Sequence, residues 1–388
     1  MNKKKLLIFA IIFIVLFVCV LNLNMPIAKA DELSENIEEQ LQNIDLKELE
    51  NFFDNIKDKP FGLDFMQCVY EILNGEYNLD YNTLIQYVSK TLINNIFEIL
   101  PIFISIISIS IFCGIIQSFK GSFLSDGIAD VIFFICFLSV ILVLFTEILS
   151  LLNNAKIIIE NMAKLTEIMS PIILTLMIAS GGSVSAKVYQ PAVGFLSNGV
   201  ISIILNLVFP LIGIIVLFNI VSNLSQSIKL NKFSDCAQSI IKWVMGITMT
   251  IFGIFITIQG ITSASYDGLS IKLAKYTVSN SIPIIGGFIK DGFDFVIAGS
   301  ILIKNSIGVV SVFALFYTIL SPLLYLLIFT TLLKVVGALI EPITDVRISN
   351  FCTSMSKCIS YVSMSIIMTS FMLFILIVLM IISVNVYI

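Results

Sequence analysis

The 388-residue sequence contains no histidine, and only 12% of it is charged. The missing imidazole removes the commonest proton shuttle near neutral pH and the usual transition-metal ligand. Acid–base or covalent chemistry would have to come from lysine, carboxylate or cysteine. The shortage of charge excludes more. A soluble domain carries about 25% charged and roughly 45–50% apolar residues, whereas here 58% are hydrophobic and the mean hydropathy is +1.03. Too little polar surface remains to cover a water-soluble fold. The composition is that of an all-α integral membrane protein, not a soluble enzyme. A net charge of -4 without a basic patch also excludes a nucleic-acid binder. Cysteine is sparse too, seven residues with no CxxC pair, so no metal site, redox site or cofactor is expected.

What is present begins with an export signal. Lys3, Lys4 and Lys5 precede an apolar run from Leu6 to Leu23, broken only by Asn22. Ala28-Lys29-Ala30 then fits the small-x-small pattern, which puts cleavage between Ala30 and Asp31 and makes 1–30 a signal peptide. An uncleaved anchor is the other reading; either way the lysines stay cytoplasmic and the following residues are exported. Residues 31–94 form an acidic segment, with 14 aspartates and glutamates against 4 lysines. Leu33, Ile37, Leu41 and Ile44, then Phe52 and Ile56, recur at helical spacing, which predicts short amphipathic helices. Cys68 is the segment's sole cysteine, so it holds no internal disulfide. The acidity exceeds what solubility needs and suits docking of a partner between the membranes.

Residues 95–388 are a series of apolar runs near the ~20 residues a spanning helix needs. The clear runs are about 95–117, 128–151, 199–222, 240–262, 306–336 and 359–385, which predicts about six spanning helices. Two further segments are apolar but interrupted. Residues 169–198 hold Pro171, Gly181, Gly182, Lys187, Gln190 and Pro191, and residues 281–304 hold Pro283, Gly286, Gly287, Lys290, Asp291, Asp294 and Lys304. Such segments are tolerated at membrane depth where protein or a wet cavity satisfies their backbone, so both read as re-entrant or discontinuous helices.

These pieces repeat. Ala163-Lys164-Leu165-Thr166 echoes Ala274-Lys275-Tyr276-Thr277, and Gly199-Val200-Ile201-Ser202 echoes Gly308-Val309-Val310-Ser311. Pro101, Pro210 and Pro322 recur at intervals of 109 and 112. The implied tandem units are about 95–198 and 199–304, with a partial third at 305–388. If the broken segments re-enter, each unit crosses twice and the repeats are parallel; if they cross fully, neighbours are inverted. Lys229, Lys232 and Lys242, and Lys334, Arg347 and Lys357, flank loops with a basic excess, which favours the re-entrant arrangement. That arrangement places 31–94 outside and the loop 222–242 in the cytoplasm.

One stretch is more specific. Gln259-Gly260-Ile261-Thr262, Tyr266-Asp267-Gly268 and Lys272-Leu273-Ala274-Lys275-Tyr276 lead into Ser279-Asn280-Ser281-Ile282-Pro283-Ile284-Ile285-Gly286, then Lys304-Asn305-Ser306-Ile307-Gly308. With the signal peptide, the Leu73-Asn74-Gly75-Glu76 turn and Glu341-Pro342, the chain resembles the stage III sporulation protein AE family of endospore-forming bacteria. The likeness covers nearly the whole mature chain and is densest from about 255 to 310. It implies a polytopic protein of the mother-cell membrane around the forespore. The family's complex is channel-like, with ring-forming bitopic subunits, a secretion-type ATPase and a forespore-side partner. No catalytic residues come with the resemblance, and no enzyme activity is expected.

The residues themselves offer one candidate path. Lys290, Asp291, Asp294 and Lys304 cluster in the second broken segment, opposite Lys187 and Gln190 of the first under the repeat. Ionisable groups at membrane depth mark pathways by default; a solvated loop is the bland alternative. Glu98, Glu147 and Lys334 fall near the ends of apolar runs, where charged side chains snorkel. Asn206 and Gln259 suit interhelical hydrogen bonds. Two functions follow: a subunit that forms or gates a transfer path in a sporulation complex, or a self-sufficient small-solute transporter. An intramembrane protease is disfavoured, because Asp291 and Asp294 sit on one segment and HExxH is absent.

Overall fold

The computed structural model describes residues 40–41, 44–56, 64–75, 81–119, 125–224, 229–281 and 286–383, with backbone alone at 81, 126, 258–281 and 286–294. The signal peptide, its Ala30/Asp31 cleavage site and Pro283 lie outside these residues. Two short helices, α1 (Lys47–Asp54) and α2 (Phe65–Leu73), precede six long ones. These are α3 (Tyr81–Ser118), α4 (Asp126–Ala179), α5 (Ser183–Leu224), α6 (Asn231–Ser281), α7 (Gly286–Ile340) and α8 (Val346–Ile382). Each long helix carries a stretch long and apolar enough to cross a membrane, as the sequence predicts.

Side-chain pairings fix the directions. Tyr87 meets Tyr317 and Phe103 meets Phe329, at 4.8 and 5.1 Å between ring centroids, so α3 and α7 run the same way. Phe137 meets Phe351, and Ser370 Oγ lies 3.4 Å from Met162 Sδ, so α4 and α8 run together in the opposite sense. Gly337 packs on Thr353 and Ser349 while Gly308 packs on Ile381, which makes α7 and α8 an antiparallel hairpin. Asn219 Nδ2 donates to Cys358 Sγ and Ser222 Oγ to Asn231 Oδ1, placing the end of α5 and the start of α6 beside the first turns of α8. The result is an up-and-down bundle. At its loop end α3 gives way to α4, α5 to α6 and α7 to α8; at its tip end α4 gives way to α5 and α6 to α7.

Local chemistry explains the shape of each element. Asp345 caps α8 by accepting from the backbone N–H of Arg347 at 2.9 Å. Gly181, with φ of 86°, makes the turn between α4 and α5, a conformation that costs glycine nothing. Gly181 and Gly182 thus stand where α4 ends and the chain turns. The break expected at Pro171 is absent: α4 runs through it. Pro171 is exposed, so the carbonyl it frees four residues back lies toward the outer face, where a hydrogen bond is not forfeited to the core. Gly286 and Gly287 open α7, which then continues without interruption to Ile340. Within α5 the winding loosens into π-helix at Phe195–Val200 and Ile204–Val208. That wider winding keeps every fourth residue on one face, and Leu196, Val200, Ile204, Val208 and Ile212 are all fully buried.

The long helices exceed any bilayer. At 1.5 Å per residue α4 is ~81 Å long, against a hydrocarbon core of ~30 Å. Residues 301–317 of α7 are buried on every side, and α8 is buried over most of its length. Helices α1 and α2 supply part of that wrapping. Leu49, Phe53, Phe65 and Val69 pack between α1, α2 and the bundle, with Phe53 edge-on to Phe65 at 5.7 Å. Helix α2 lies along α7 and α1 touches α4. Gln40 accepts from Ser300 Oγ at 3.2 Å and sits over Gly299. The boundary expected at 94/95 falls inside α3, which starts at Tyr81.

Candidate functional site

A cleft of about 1040 Å³ opens between α1, α3, α4 and α7. Its polar lining comes from four separate elements. Helix α1 contributes Glu48, Asn51 and Asn55; α3 contributes Tyr87, Asn95 and Glu98. Helix α4 adds Glu147, Asn154, Asn161 and Lys164, and α7 adds Tyr317, Ser321 and Tyr325. Leu151, Ile158, Phe52 and Leu326 make the remaining wall apolar. Pockets with a few convergent polar groups on apolar walls are the usual form of a binding site.

The fold explains the convergence. Pro322 has no N–H to give the Thr318 carbonyl four residues back, which costs α7 one helix hydrogen bond, and beside it the Ser321 carbonyl accepts from Asn95 Nδ2 at 3.1 Å. One turn further on, Tyr325 donates its hydroxyl to Glu147 Oε1 at 3.0 Å. Glu98 is close enough to Tyr325 to act on the same phenol electrostatically. Three carboxylates thus face one lysine, Lys164, and no ion pair joins Lys164 to any of the three among the described residues. The cleft is net acidic and suits a cationic or hydrogen-bonding solute. No group of histidine, cysteine, aspartate and glutamate suited to a metal occurs among the described residues.

Most of the residues singled out from the sequence are elsewhere. Lys187 and Gln190 are exposed on α5, four and seven residues past the Ser183 start. Lys304 is fully buried, and its ammonium donates to the carbonyls of Ile381, at 2.9 Å, and Ser383. Those carbonyls close α8, where the last helical turn lacks intrahelical donors and favours a cation. Lys304 therefore serves as a helix cap, and the structure does not gather it with Lys187 and Gln190 into one lined site. Lys290, Asp291 and Asp294 lie in the first turns of α7, and their side chains are outside the described residues. Asn206 bonds within its own helix, its Nδ2 donating to Ser202 Oγ at 2.9 Å, not across helices.

Glu98 and Glu147, which read from the sequence as snorkelling side chains, instead line the cleft. Each ends an apolar run, and nothing local distinguishes a snorkelling glutamate from one that faces a cleft. The available signal is the offset of Pro322: a proline one turn from Tyr325 in the neighbouring run marks a place where backbone and side chains need polar partners.

Comparison with known proteins bears on identity. The family described as Stage III sporulation protein AE matches residues 63–384. A relative of the same description from Bacillus subtilis (strain 168) is 26% identical over 304 residues, covering 78% of this chain and 76% of its own length. No solved structure matches. The family match spans α2 to α8 and so includes three of the four walls of the cleft. The chain belongs to the stage III sporulation protein AE family.

Proposed function

We propose that this chain is a membrane subunit of a channel- or secretion-like assembly linking mother cell and forespore, in which it forms or gates a transfer path. It would reside in the mother-cell membrane around the forespore, beside ring-forming bitopic subunits, a secretion-type ATPase and a forespore-side partner. Family membership supports a sporulation role. The single observation that carries the path is the cleft, because it brings Glu98, Glu147 and Tyr325 together where three long helices meet. Carboxylates kept there without a lysine or arginine partner cost stability unless they meet water or a solute.

The repeat reading fits the same geometry. Pro101, Pro210 and Pro322 lie on α3, α5 and α7, the three helices that run from tip end to loop end. Three helical hairpins stacked in this way would make the cleft one of several related inter-hairpin spaces. A self-sufficient solute transporter is the alternative; the paired broken segments support a solute path under either reading, and family membership favours the sporulation subunit.

The test is a strain whose sole copy carries Glu147→Gln or Tyr325→Phe. Both changes keep shape and remove the charge or its donor. Expected are normal membrane levels of the protein with a sharp fall in heat-resistant spores for Glu147→Gln and a smaller one for Tyr325→Phe. Wild-type spore counts from Glu98→Gln/Glu147→Gln would rule out the cleft as the working path.

A further inference from the structure

The exposed surface of the bundle changes character at one level on three helices. On α4 the outward residues from Val131 to Leu149 are apolar but for Thr146, whose hydroxyl bonds back to the Leu142 carbonyl; Leu142 itself is 62% exposed. From Asn153 onward they are Asn154, Lys156, Glu160, Asn161, Lys164 and Glu167. On α5 the outward residues Lys187, Gln190, Asn198 and Asn206 give way to Leu207, Ile214 and Leu217. On α3 the polar Gln86, Lys90 and Asn94 give way to Phe97, Ile104 and Phe112. Helix α6 adds the start of the same band at Trp243, 72% exposed beside Lys242, the pairing typical of a membrane interface. The apolar band covers some 20 residues of each helix, or ~30 Å, one hydrocarbon core.

We infer that lipid surrounds only the loop-end half of the bundle, and that the tip-end half stands clear of the membrane as a polar-sided helical column on the exported side. From residue 152 to its end α4 alone projects ~42 Å at 1.5 Å per residue. The column has a core of its own. Residues 301–317 of α7, apolar enough to read as a membrane span, are wrapped by protein on every side, and α8 is buried over most of its length beside them. Its outer flank carries the solvated Lys156–Glu160 pair, 3.7 Å apart and about half exposed, a group with no place in lipid. Isolated exposed isoleucines on it, Ile85, Ile157 and Ile178, are ordinary for a water-facing surface. The exported helices α1 and α2 pack on this half, which puts the column on their side of the membrane.

Two consequences follow. Residues 169–198, and the described part of the second broken segment, 286–304, are the far ends of the column, outside the bilayer. The cleft sits at the base of the column, with Ser150 to Lys164 on its rim, so solutes and water-soluble domains reach it from the exported side.

The test uses single cysteines in the full chain with Cys236, the exposed native thiol, replaced. Lys156, Glu160 and Lys187 report on the column; Ile135, Leu142 and Leu217 report on the band. Intact cells are treated with a bulky, membrane-impermeant maleimide, and the same positions carrying a fluorophore are exposed to nitroxide-bearing lipids. Expected is labelling of the three column sites without lipid quenching, and the reverse at the three band sites. Quenching at Glu160 and Lys187 overturns the inference in favour of membrane-embedded hairpins. Labelling of those sites only in inverted vesicles overturns it by placing the column in the cytoplasm. These readouts need no transfer activity, so they stand apart from the fate of the cleft as a path.

Discussion

Individual residues decide the two ends of α8. At its start, burial would raise the Asp345 carboxyl, but bonds from Arg347 N–H, Nε and Nη2 at 2.9–3.0 Å hold it below the usual carboxylate range. Arg347 is itself fixed over the Phe133 ring at 3.9 Å. A folded value below the unfolded one means that the stabilisation is fully present above about pH 4, the unfolded aspartate value. It is lost as pH falls through the lower folded value. Asp345→Ala should cost about 1 kcal/mol, the usual worth of an N-cap, and its melting temperature in detergent should converge with that of the parent chain as pH drops. At the other end, Lys304→Met keeps the buried stem and removes the ammonium. It strands the Ile381 and Ser383 carbonyls, and should cost about 1–3 kcal/mol, the penalty for unsatisfied buried polar groups. A melting temperature unchanged in Lys304→Met would show that water replaces the lysine.

Helix-to-helix approach is set by glycines, and they should not tolerate alanine equally. A Cβ on Gly114 of α3 would lie 2.1 Å from the backbone oxygen of Ile343, which cannot rotate away. A Cβ on Gly308 of α7 would meet Ile381 Cγ1 at 2.4 Å, the movable part of a side chain. Gly114→Ala should therefore destabilise more than Gly308→Ala, both within the ~1–3 kcal/mol of overpacking, as read by detergent melting curves; equal effects would mean that the contact of α3 with the α7–α8 turn is loose. How far such elements could be read from sequence follows the same physics. Six long helices were legible because hydropathy and length are local. The Gly181–Gly182 turn was legible because paired glycines suit a positive φ. Pro171 misled, since a proline breaks a helix only where the freed carbonyl finds no partner. Hydropathy also could not tell lipid from protein around α7 and α8. The meeting of Glu98, Glu147 and Tyr325 was illegible for a different reason: it exists only once three helices are packed.

At the scale of the molecule, the question is whether α1 and α2 are a free arm or part of the wall. The segment's acidity suits docking of a partner; the packing of α1 and α2 makes them a wall. Phe53, Phe65 and Val69 are almost completely buried, and Cys68 beside them is 4% exposed. Burial pushes the Cys68 thiol up to about 11, with Glu71 and Asp64 adding to the shift, so at neutral pH it is a poor nucleophile while the wall is closed. That makes Cys68 a built-in reporter. Phe53→Ala removes the ring that stacks edge-on against Phe65, a loss of about 3–5 kcal/mol for a buried aromatic. The loss exceeds what a small two-helix contact can absorb, so α1 and α2 should part from α7 while the lipid-facing band, held by other contacts, stays folded. Maleimide labelling of Cys68 should then speed up by orders of magnitude, and amides 301–317 of α7 should lose hydrogen-exchange protection. Amides in the first half of α4 should keep theirs. If Cys68 labels at the same slow rate in Phe53→Ala, the wall is held by α2 alone. If it labels rapidly even in the unmodified chain, α1 and α2 are a free arm, and the cleft is permanently open on that side.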